Sequence, residues 1–200
     1  MTIRFQAKHK SGYTVDALEP FNFPAGEAHI KGFDTLKVED YEYFIADIRG
    51  YNAQDLFHLA MWSDGLFQTP SHAKLYLLLP YLPGARADRG TPFGAEVYSD
   101  FLNSMVGPHA IFGLDPHSPV MPELLENYIE FPFERIIKDK IAHSRGDELA
   151  MDHPYAGVIA PDHGARDGSS QLSGRIPPGP LSRAHPLLAS RGAEGQHSVP

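Results

Sequence analysis

Cysteine is absent from the 200 residues of this chain. Its absence excludes disulfide bonds and thiolate metal sites, although it leaves the cellular compartment open. Any metal ion would therefore be held by carboxylates, imidazoles and the phosphates of a ligand. That donor set favours magnesium over a structural zinc.

Long apolar runs and positive charge are also scarce. No segment approaches the roughly 20 consecutive apolar residues of a membrane-spanning helix, and the polar start TIRFQAKHKSG is not typical of a signal peptide. The net charge of −8 disfavours a broad nucleic-acid-binding surface. We therefore expect a cytoplasmic protein without membrane or nucleic-acid partners, in which local arginines make any phosphate contact.

The last thirty residues, 171–200, lack lysine, aromatic residues and any helical or strand period. They contain five prolines, four glycines and four serines instead. A segment of this composition cannot bury enough apolar surface to offset its ordering entropy, so we expect a disordered tail. The preceding part of the chain is long enough for one sizeable domain or two small ones.

The stretch that organises the chain is Lys74–Arg89. Its apolar run Leu75–Leu79 predicts a buried strand, and the prolines and glycine that follow predict a loop. That loop carries Arg86, Asp88 and Arg89. Because open α/β sheets bind ligands beyond the carboxyl ends of their strands, two guanidiniums here suggest a site for an anion, most simply a phosphate chain. Solvated loop arginines are the alternative interpretation.

Strands and helices alternate around this stretch. Tyr41–Ile48 predicts a strand, and Asn52 predicts the cap of a helix that ends at Gly65. Within that helix, His58 is interpreted as a hydrogen-bonded packing residue. A further run, His109–Leu114, predicts the next strand.

A second helix is predicted between the last two of these strands. Thr91–Pro92 would supply its N-cap and first residue. Val97, Phe101 and Met105, with Tyr98 and Leu102 beside them, would form its buried stripe. Strand, helix, strand, helix, strand in this order predicts an α/β fold with a parallel sheet flanked by helices.

Two further loops carry residues able to bind a ligand. Phe23–Glu27 predicts a turn, and Ala28–Lys31 alternates like a returning strand, which places Glu27 near a hairpin tip. His117 follows the strand His109–Leu114 and should share one rim with the arginines. Each of these residues also has an ordinary interpretation, as a turn carboxylate in water and a surface histidine respectively.

Asp162 follows a predicted strand, Tyr155–Ala160, in the same way that Asp115 follows the predicted strand His109–Leu114. A carboxylate directly after a buried strand binds a metal-phosphate or caps the next helix, and both interpretations stay open.

Four short motifs occur in the order and rough spacing of the ribose-phosphate diphosphokinases, also called phosphoribosyl pyrophosphate synthetases. The chain resembles this family over about residues 20–168. The motifs are Phe23–Glu27, Leu79–Tyr81 with Ala85–Arg89, Leu114–His117, and Ala160–Gly164.

The resemblance implies a phosphoribosyltransferase-like fold and an activity. Residues 1–146 would form the ATP-site domain, residues 147–170 the first strand and loop of an incomplete second domain, and residues 171–200 the tail. The family transfers diphosphate from magnesium-ATP to ribose 5-phosphate, which gives phosphoribosyl pyrophosphate and AMP for nucleotide synthesis. Its subunits form homo-oligomers in which neighbouring subunits share the ATP site.

Site residues follow from the same resemblance. Phe23 would stack on adenine and Glu27 would contact the nucleotide from one subunit, while the loop with Arg86, Asp88 and Arg89 would hold ATP from the other. By the same resemblance, His117 and Asp162 match the positions that are associated with magnesium in this family.

No catalytic residue is assigned, because the loop that grips ribose 5-phosphate is not found after Asp167. We therefore expect a sequence that is truncated or frameshifted after about residue 168. The alternative is a non-catalytic nucleotide-binding or regulatory subunit of a synthetase assembly. A metal-dependent hydrolase is a third hypothesis, although no pair of histidines spaced as in a metalloprotease helix occurs.

Overall fold

The computed structural model describes residues 3–50, 52–69, 73–133 and 135–137. The chain separates into two units, Met1–Pro132 and Phe133–Pro200, and almost all described residues belong to the first. The predicted strand Tyr155–Ala160, Asp162, segment 147–170 and tail 171–200 lie outside the described residues.

Residues 3–31 form an antiparallel meander of three strands: β1 (Ile3–His9), β2 (Thr14–Asn22) and β3 (Ala28–Lys31). Alternate residues of β1 point into the core, which is why this segment forms a half-buried strand. The predicted hairpin and returning strand are confirmed. β1 and β2 also extend well beyond the short alternations visible in the sequence, because pairing along the whole of β1 holds less periodic residues in the ladder.

Four parallel strands complete the sheet: β4 (Tyr41–Ile48), β5 (Lys74–Leu79), β6 (Ala110–Leu114) and β7 (Tyr128–Phe131). The order across the sheet is β3-β2-β1-β4-β5-β6-β7. The predicted parallel α/β arrangement is confirmed for β4 to β7, and the antiparallel meander makes the whole sheet mixed. β7 escaped prediction because it is four residues long and mostly exposed.

Helix α1 (Ala53–Phe67) connects β4 to β5 and begins as predicted at Asn52. The Asn52 side chain accepts a hydrogen bond from the Asp55 amide and the Asp55 carboxylate accepts one from the Asn52 amide, each at 3.0 Å, which is a capping box. The predicted end at Gly65 is wrong. Gly65 lies inside the helix because the Phe33 ring packs against it, where a Cβ atom would come within 2.5 Å of the ring.

The connection from β5 to β6 holds helix α2 (Gly94–Asp100), which continues as a π-helical segment over Phe101–Val106. α2 begins two residues later than the predicted Pro92, because the amide of Ala95 is bonded to the carbonyl of Ala87 in the preceding loop. A short helix, α3 (Val120–Leu124), follows β6.

The predicted buried stripe of this second helix is wrong at Val97 and Met105, which are 63% and 61% exposed. It is confirmed at Leu102, which is fully buried, and Tyr98 and Phe101 pack against the core. The other buried residues of this segment are Ala95, Ser99 and Val106. Small residues at Ala95 and Ser99 let the helix approach the rest of the core closely, and this preference outweighs the size of the apolar side chains.

The core lies between the helices and one face of the sheet. Phe5 of β1 stacks on Trp62 of α1 with ring centroids 5.3 Å apart, and both side chains are fully buried. Leu75, Leu77 and Leu79 of β5 are buried in the same cluster. This packing fixes α1 across the outer meander and the parallel strands together.

Strand direction decides which loops share an edge. β4 to β7 run parallel, and β2 also points the same way because it is antiparallel to β1, which is antiparallel to β4. The turn after β2 and the loops after β5 and β6 therefore all lie at the carboxyl edge of the sheet.

None of the described helices is both long enough and apolar enough to cross a membrane.

The titration of the Tyr128 hydroxyl in β7 provides a test of the packing at the last strand. Burial, followed by the nearby carboxylates of Glu130 and Asp115, raises the pKa of Tyr128 to about 12. Between about pH 10, the ordinary tyrosine pKa, and pH 12, only the unfolded chain loses this proton, so the free energy of unfolding falls as pH rises. Tyr128→Phe should remove that part of the alkaline loss in denaturation curves measured at several pH values. Equal alkaline losses in both proteins would contradict it.

Candidate functional site

Three loops at the carboxyl edge carry the predicted site residues. We call them the hairpin turn (Phe23–Glu27), the arginine loop (residues 80–93) and the β6 loop (residues 115–119). The predicted Asp162 lies outside the described residues, so the site is described without it.

The arginine loop is held against the start of α2. The Ala87 amide donates to the Gly84 carbonyl at 2.8 Å, and the Ala95 amide donates to the Ala87 carbonyl at 3.0 Å. Gly94 is required at the same place, since a Cβ atom there would come within 2.6 Å of the Ala87 Cβ. The backbone on either side of Arg86 is therefore fixed by the helix that follows it.

Asp88 lies where the arginine loop approaches the β6 loop. Its side chain is 8% exposed, and the Arg89 Nε atom donates to its carboxylate at 3.3 Å. The nearby Ser118 hydroxyl, and after it Arg89, holds the pKa of Asp88 below its ordinary value, although the buried Ser118 Oγ atom has no partner at hydrogen-bond geometry among the described residues. Ser118 is the residue after His117, and the two loops follow adjacent parallel strands, so the loop of His117 lies beside the arginine loop.

Arg86 and His117 are both exposed on these two loops. Within the described part of the chain neither side chain makes a hydrogen bond or an ion pair. Asp115 begins the β6 loop with a φ of 39°, a left-handed conformation that turns the chain as it leaves β6 and that aspartate tolerates better than most residues. The Arg86 guanidinium and the His117 imidazole are therefore exposed to solvent on backbone that is fixed locally.

The hairpin turn presents an aromatic surface. Phe23 is 48% exposed and stacks on His29 of β3, with ring centroids 5.5 Å apart and an angle of 26°. Phe21 meets Phe23 edge to face at 5.0 Å, and the Lys31 ammonium lies 4.4 Å from the Phe21 ring centroid. Glu27, at the end of the turn, is exposed. A half-exposed ring supported by two others is suited to stack on a planar ligand.

Helix α1 holds the hairpin turn, a contribution that sequence reasoning missed. The Gln54 side chain donates to the Gly26 carbonyl at 3.1 Å and accepts from the Asn22 side chain at 3.1 Å. His58 is 2% exposed, and its Nε2 atom is 2.9 Å from the Phe21 carbonyl oxygen, which confirms its interpretation as a hydrogen-bonded packing residue. Only the position of Gln54 in the first helical turn could have signalled its role.

The hairpin turn and the arginine loop share an edge without meeting. β2 and β5 are three inter-strand steps apart, which at about 4.8 Å per step is roughly 14 Å in a flat sheet. Strands β1 and β4 lie between them. The structure thus brings together the predicted residues of the arginine and β6 loops, and leaves Phe23 and Glu27 apart from them.

Among the described residues, no group of three or more histidine, aspartate or glutamate side chains is arranged to hold a metal ion. Of the predicted metal ligands only His117 is described, and Asp115 lies two residues before it with its side chain also exposed. Magnesium commonly binds to one or two protein groups and completes its shell with water and substrate phosphates. The exposed donors of the β6 loop fit that mode of binding and do not fit a closed protein cage.

Replacing Ser118 tests the contact between the two loops. Ser118→Ala should raise the pKa of Asp88 towards its ordinary value, because the carboxylate loses the neighbouring hydroxyl group that stabilises its charge. A lowered pKa stabilises the fold above about pH 4 and this stabilisation is lost in acid, so the variant should lose less stability on acidification. Carboxyl NMR titration measures the shift. Ser104→Ala, at an exposed position, is the control, and an unchanged Asp88 titration in Ser118→Ala would contradict the contact.

Replacing Gly94 tests how the arginine loop is held. Gly94→Ala should destabilise the fold by about 1–3 kcal/mol, because the new methyl group overlaps the Ala87 Cβ. Combining it with Ala87→Gly removes the overlap and should restore most of the loss. Urea denaturation of both single variants and the pair measures the coupling, and additive effects would show that the close approach is unimportant.

The sequence matches no known family, and no curated protein matches it. Its fold does match solved structures. The chain is similar to the crystal structure of phosphoribosylpyrophosphate synthetase from Mycobacterium smegmatis, with a TM-score of 0.60 over 79% of this chain and 18% sequence identity. The match covers 52% of that synthetase, so the chain spans about half of its length.

Identity at this level is evidence of fold and not of activity. The mixed sheet, with its parallel strands flanked by helices, agrees with that similarity. This chain therefore has an α/β fold like that of phosphoribosylpyrophosphate synthetase.

Proposed function

We propose that this chain forms the ATP-binding part of a ribose-phosphate diphosphokinase. The reaction would transfer diphosphate from magnesium-ATP to the 1-hydroxyl of ribose 5-phosphate and release AMP. The observation that carries the proposal is the parallel pairing of β5 with β6, which puts the arginine loop beside the β6 loop at the carboxyl edge of a synthetase-like fold. Ligands of open α/β sheets bind at this edge.

In this proposal Arg86 binds the phosphates of ATP. Its guanidinium is exposed and makes no ion pair among the described residues, so it is available to an incoming anion. Diphosphoryl transfer depends on charge neutralisation and alignment more than on covalent help from the protein, and a fixed arginine supplies both. Asp88 and Arg89 act through the loop, since their side chains are already bonded to each other.

His117, with Asp162 as its predicted partner, would hold the magnesium ion. The ion would neutralise charge on the ATP phosphates, and the exposed imidazole at the start of the β6 loop would share in holding it. Few protein ligands are needed for this, because phosphates and water complete the magnesium shell.

Phe23 and Glu27 would contact the adenine end of ATP. The distance between the hairpin turn and the arginine loop, roughly 14 Å by strand spacing, supports a site that takes the turn from one subunit and the arginine loop from another. The chain would then act as a homo-oligomer.

A second candidate function is a non-catalytic nucleotide-binding or regulatory subunit. It requires only nucleotide-binding groups, and the side chains of Arg86 and Phe23 are exposed for that purpose. Such a subunit would bind ATP through the same loops without turning it over.

One experiment separates the two candidates. The full chain is mixed with ATP, magnesium and ribose 5-phosphate, and AMP is measured together with ATP binding by calorimetry. Both binding and AMP formation support the synthetase, whereas binding without AMP supports the regulatory subunit. Absence of ATP binding in correctly folded protein rejects both.

Replacing Arg86 tests the site directly. Arg86→Ala should weaken ATP binding by roughly 2–3 kcal/mol, because charge-assisted hydrogen bonds to phosphate are lost. Lys10→Ala is the control, since Lys10 is an exposed cation in the turn after β1, at the opposite edge of the sheet. Equal ATP affinities of the Arg86 and Lys10 variants would contradict the assignment.

A further inference from the structure

The hairpin turn depends on helix α1 for its position. Its own hydrogen bonds are two, from the Phe23 amide to the Glu27 carbonyl and from the Gly26 amide to the Phe23 carbonyl, each at 2.8 Å. These bonds define the shape of the turn. They do not determine where the turn lies relative to the rest of the sheet, because β2 beyond Leu18 pairs only with β3.

Gln54 supplies that connection through both ends of one amide. Its nitrogen donates to the carbonyl of Gly26 in the turn, and its oxygen accepts from the side chain of Asn22 at the end of β2. One side chain therefore grips the turn and the strand that leads into it. Moving the turn away from α1 breaks both bonds together.

The helix end that carries Gln54 is itself rigid. The capping box of Asn52 and Asp55 encloses Gln54 in sequence, and Asp55 is buried. One turn further along, the buried His58 imidazole bonds to the Phe21 carbonyl. α1 thus contacts the hairpin at three successive points: the strand at Phe21, its end at Asn22 and the turn at Gly26.

From this geometry we infer that Gln54 is a positioning residue that holds the hairpin turn ready for an adenine nucleotide. The inference rests on the proposed function, in which Phe23 and Glu27 contact the base. A flexible turn would lose conformational entropy on binding, and a turn already held in place by α1 avoids that loss. Gln54 touches no ligand itself and acts through the placement of Phe23.

The first test measures the turn without ligand. Gln54→Ala should accelerate hydrogen exchange of the Gly26 amide by about threefold to tenfold, since one net hydrogen bond changes such an equilibrium by this factor. Gln54→Glu should do the same, because it keeps the acceptor for Asn22 and loses the donor to Gly26. Gln68→Ala is the matched control: Gln68 lies at the other end of α1 and bonds to Asp64. Exchange in Gln54→Ala equal to that in Gln68→Ala overturns the inference.

The second test measures ATP affinity by calorimetry on the full chain. Gln54→Ala should weaken binding about threefold to tenfold, with a melting temperature matching that of Gln68→Ala. In a Phe23→Ala background the same substitution should have no further effect, because Gln54 acts through the Phe23 ring. A purely structural role would instead lower the melting temperature and leave affinity unchanged, which overturns the inference.

The same binding measurements separate the proposed function from the positioning role of Gln54. If the unaltered chain binds no ATP, the proposed function fails and the positioning role fails with it. If the unaltered chain binds ATP and Gln54→Ala binds it equally well, only the positioning role is overturned.

Discussion

Strand direction is the constraint on which the candidate site depends. The four parallel strands deliver their loops to one edge, and the double reversal through β1 makes β2 end there as well. β5 and β6 are adjacent and parallel, so the arginine loop and the β6 loop leave neighbouring strands, and Asp88 lies near Ser118 between them. Without a common direction, Arg86 and His117 would lie at opposite ends of the sheet whatever their chemistry.

The site combines exposed side chains, which are available to a ligand, with residues whose contacts hold the surrounding backbone in place. Asp88 and Gly94 hold the backbone around Arg86, whereas Arg86 itself is exposed. The hairpin turn follows the same plan, with Gln54 holding the backbone and Phe23 half-exposed above it. In both places contacts of the backbone and of neighbouring side chains hold the loop in one conformation, so that a ligand meets groups already in position.

Much of the fold was readable from the sequence, and the failures have identifiable causes. Tyr41–Ile48 and the Asn52 cap were predicted at the correct residues, because an apolar run of strand length and a capping pattern are local signals. Gly65 was misread as a helix end, since its requirement comes from the distant Phe33 ring. The face of α2 was wrong for a similar reason: packing selected the small Ala95 and Ser99 over the larger Val97 and Met105.

The candidate site divides in the same way. Sequence alone determined which residue types follow each strand and so predicted Arg86 and His117 at the ligand-binding edge, whereas Phe23 was predicted from the resemblance to the synthetases. Only the tertiary structure decided that the loops of Arg86 and His117 leave adjacent strands, that Phe23 lies apart from them, and that Gln54 supports the turn. The physical reason is the separation along the sequence between the residues that interact. Strand and cap patterns act within a few residues along the chain, whereas the contacts that place a loop join segments from different parts of the sequence.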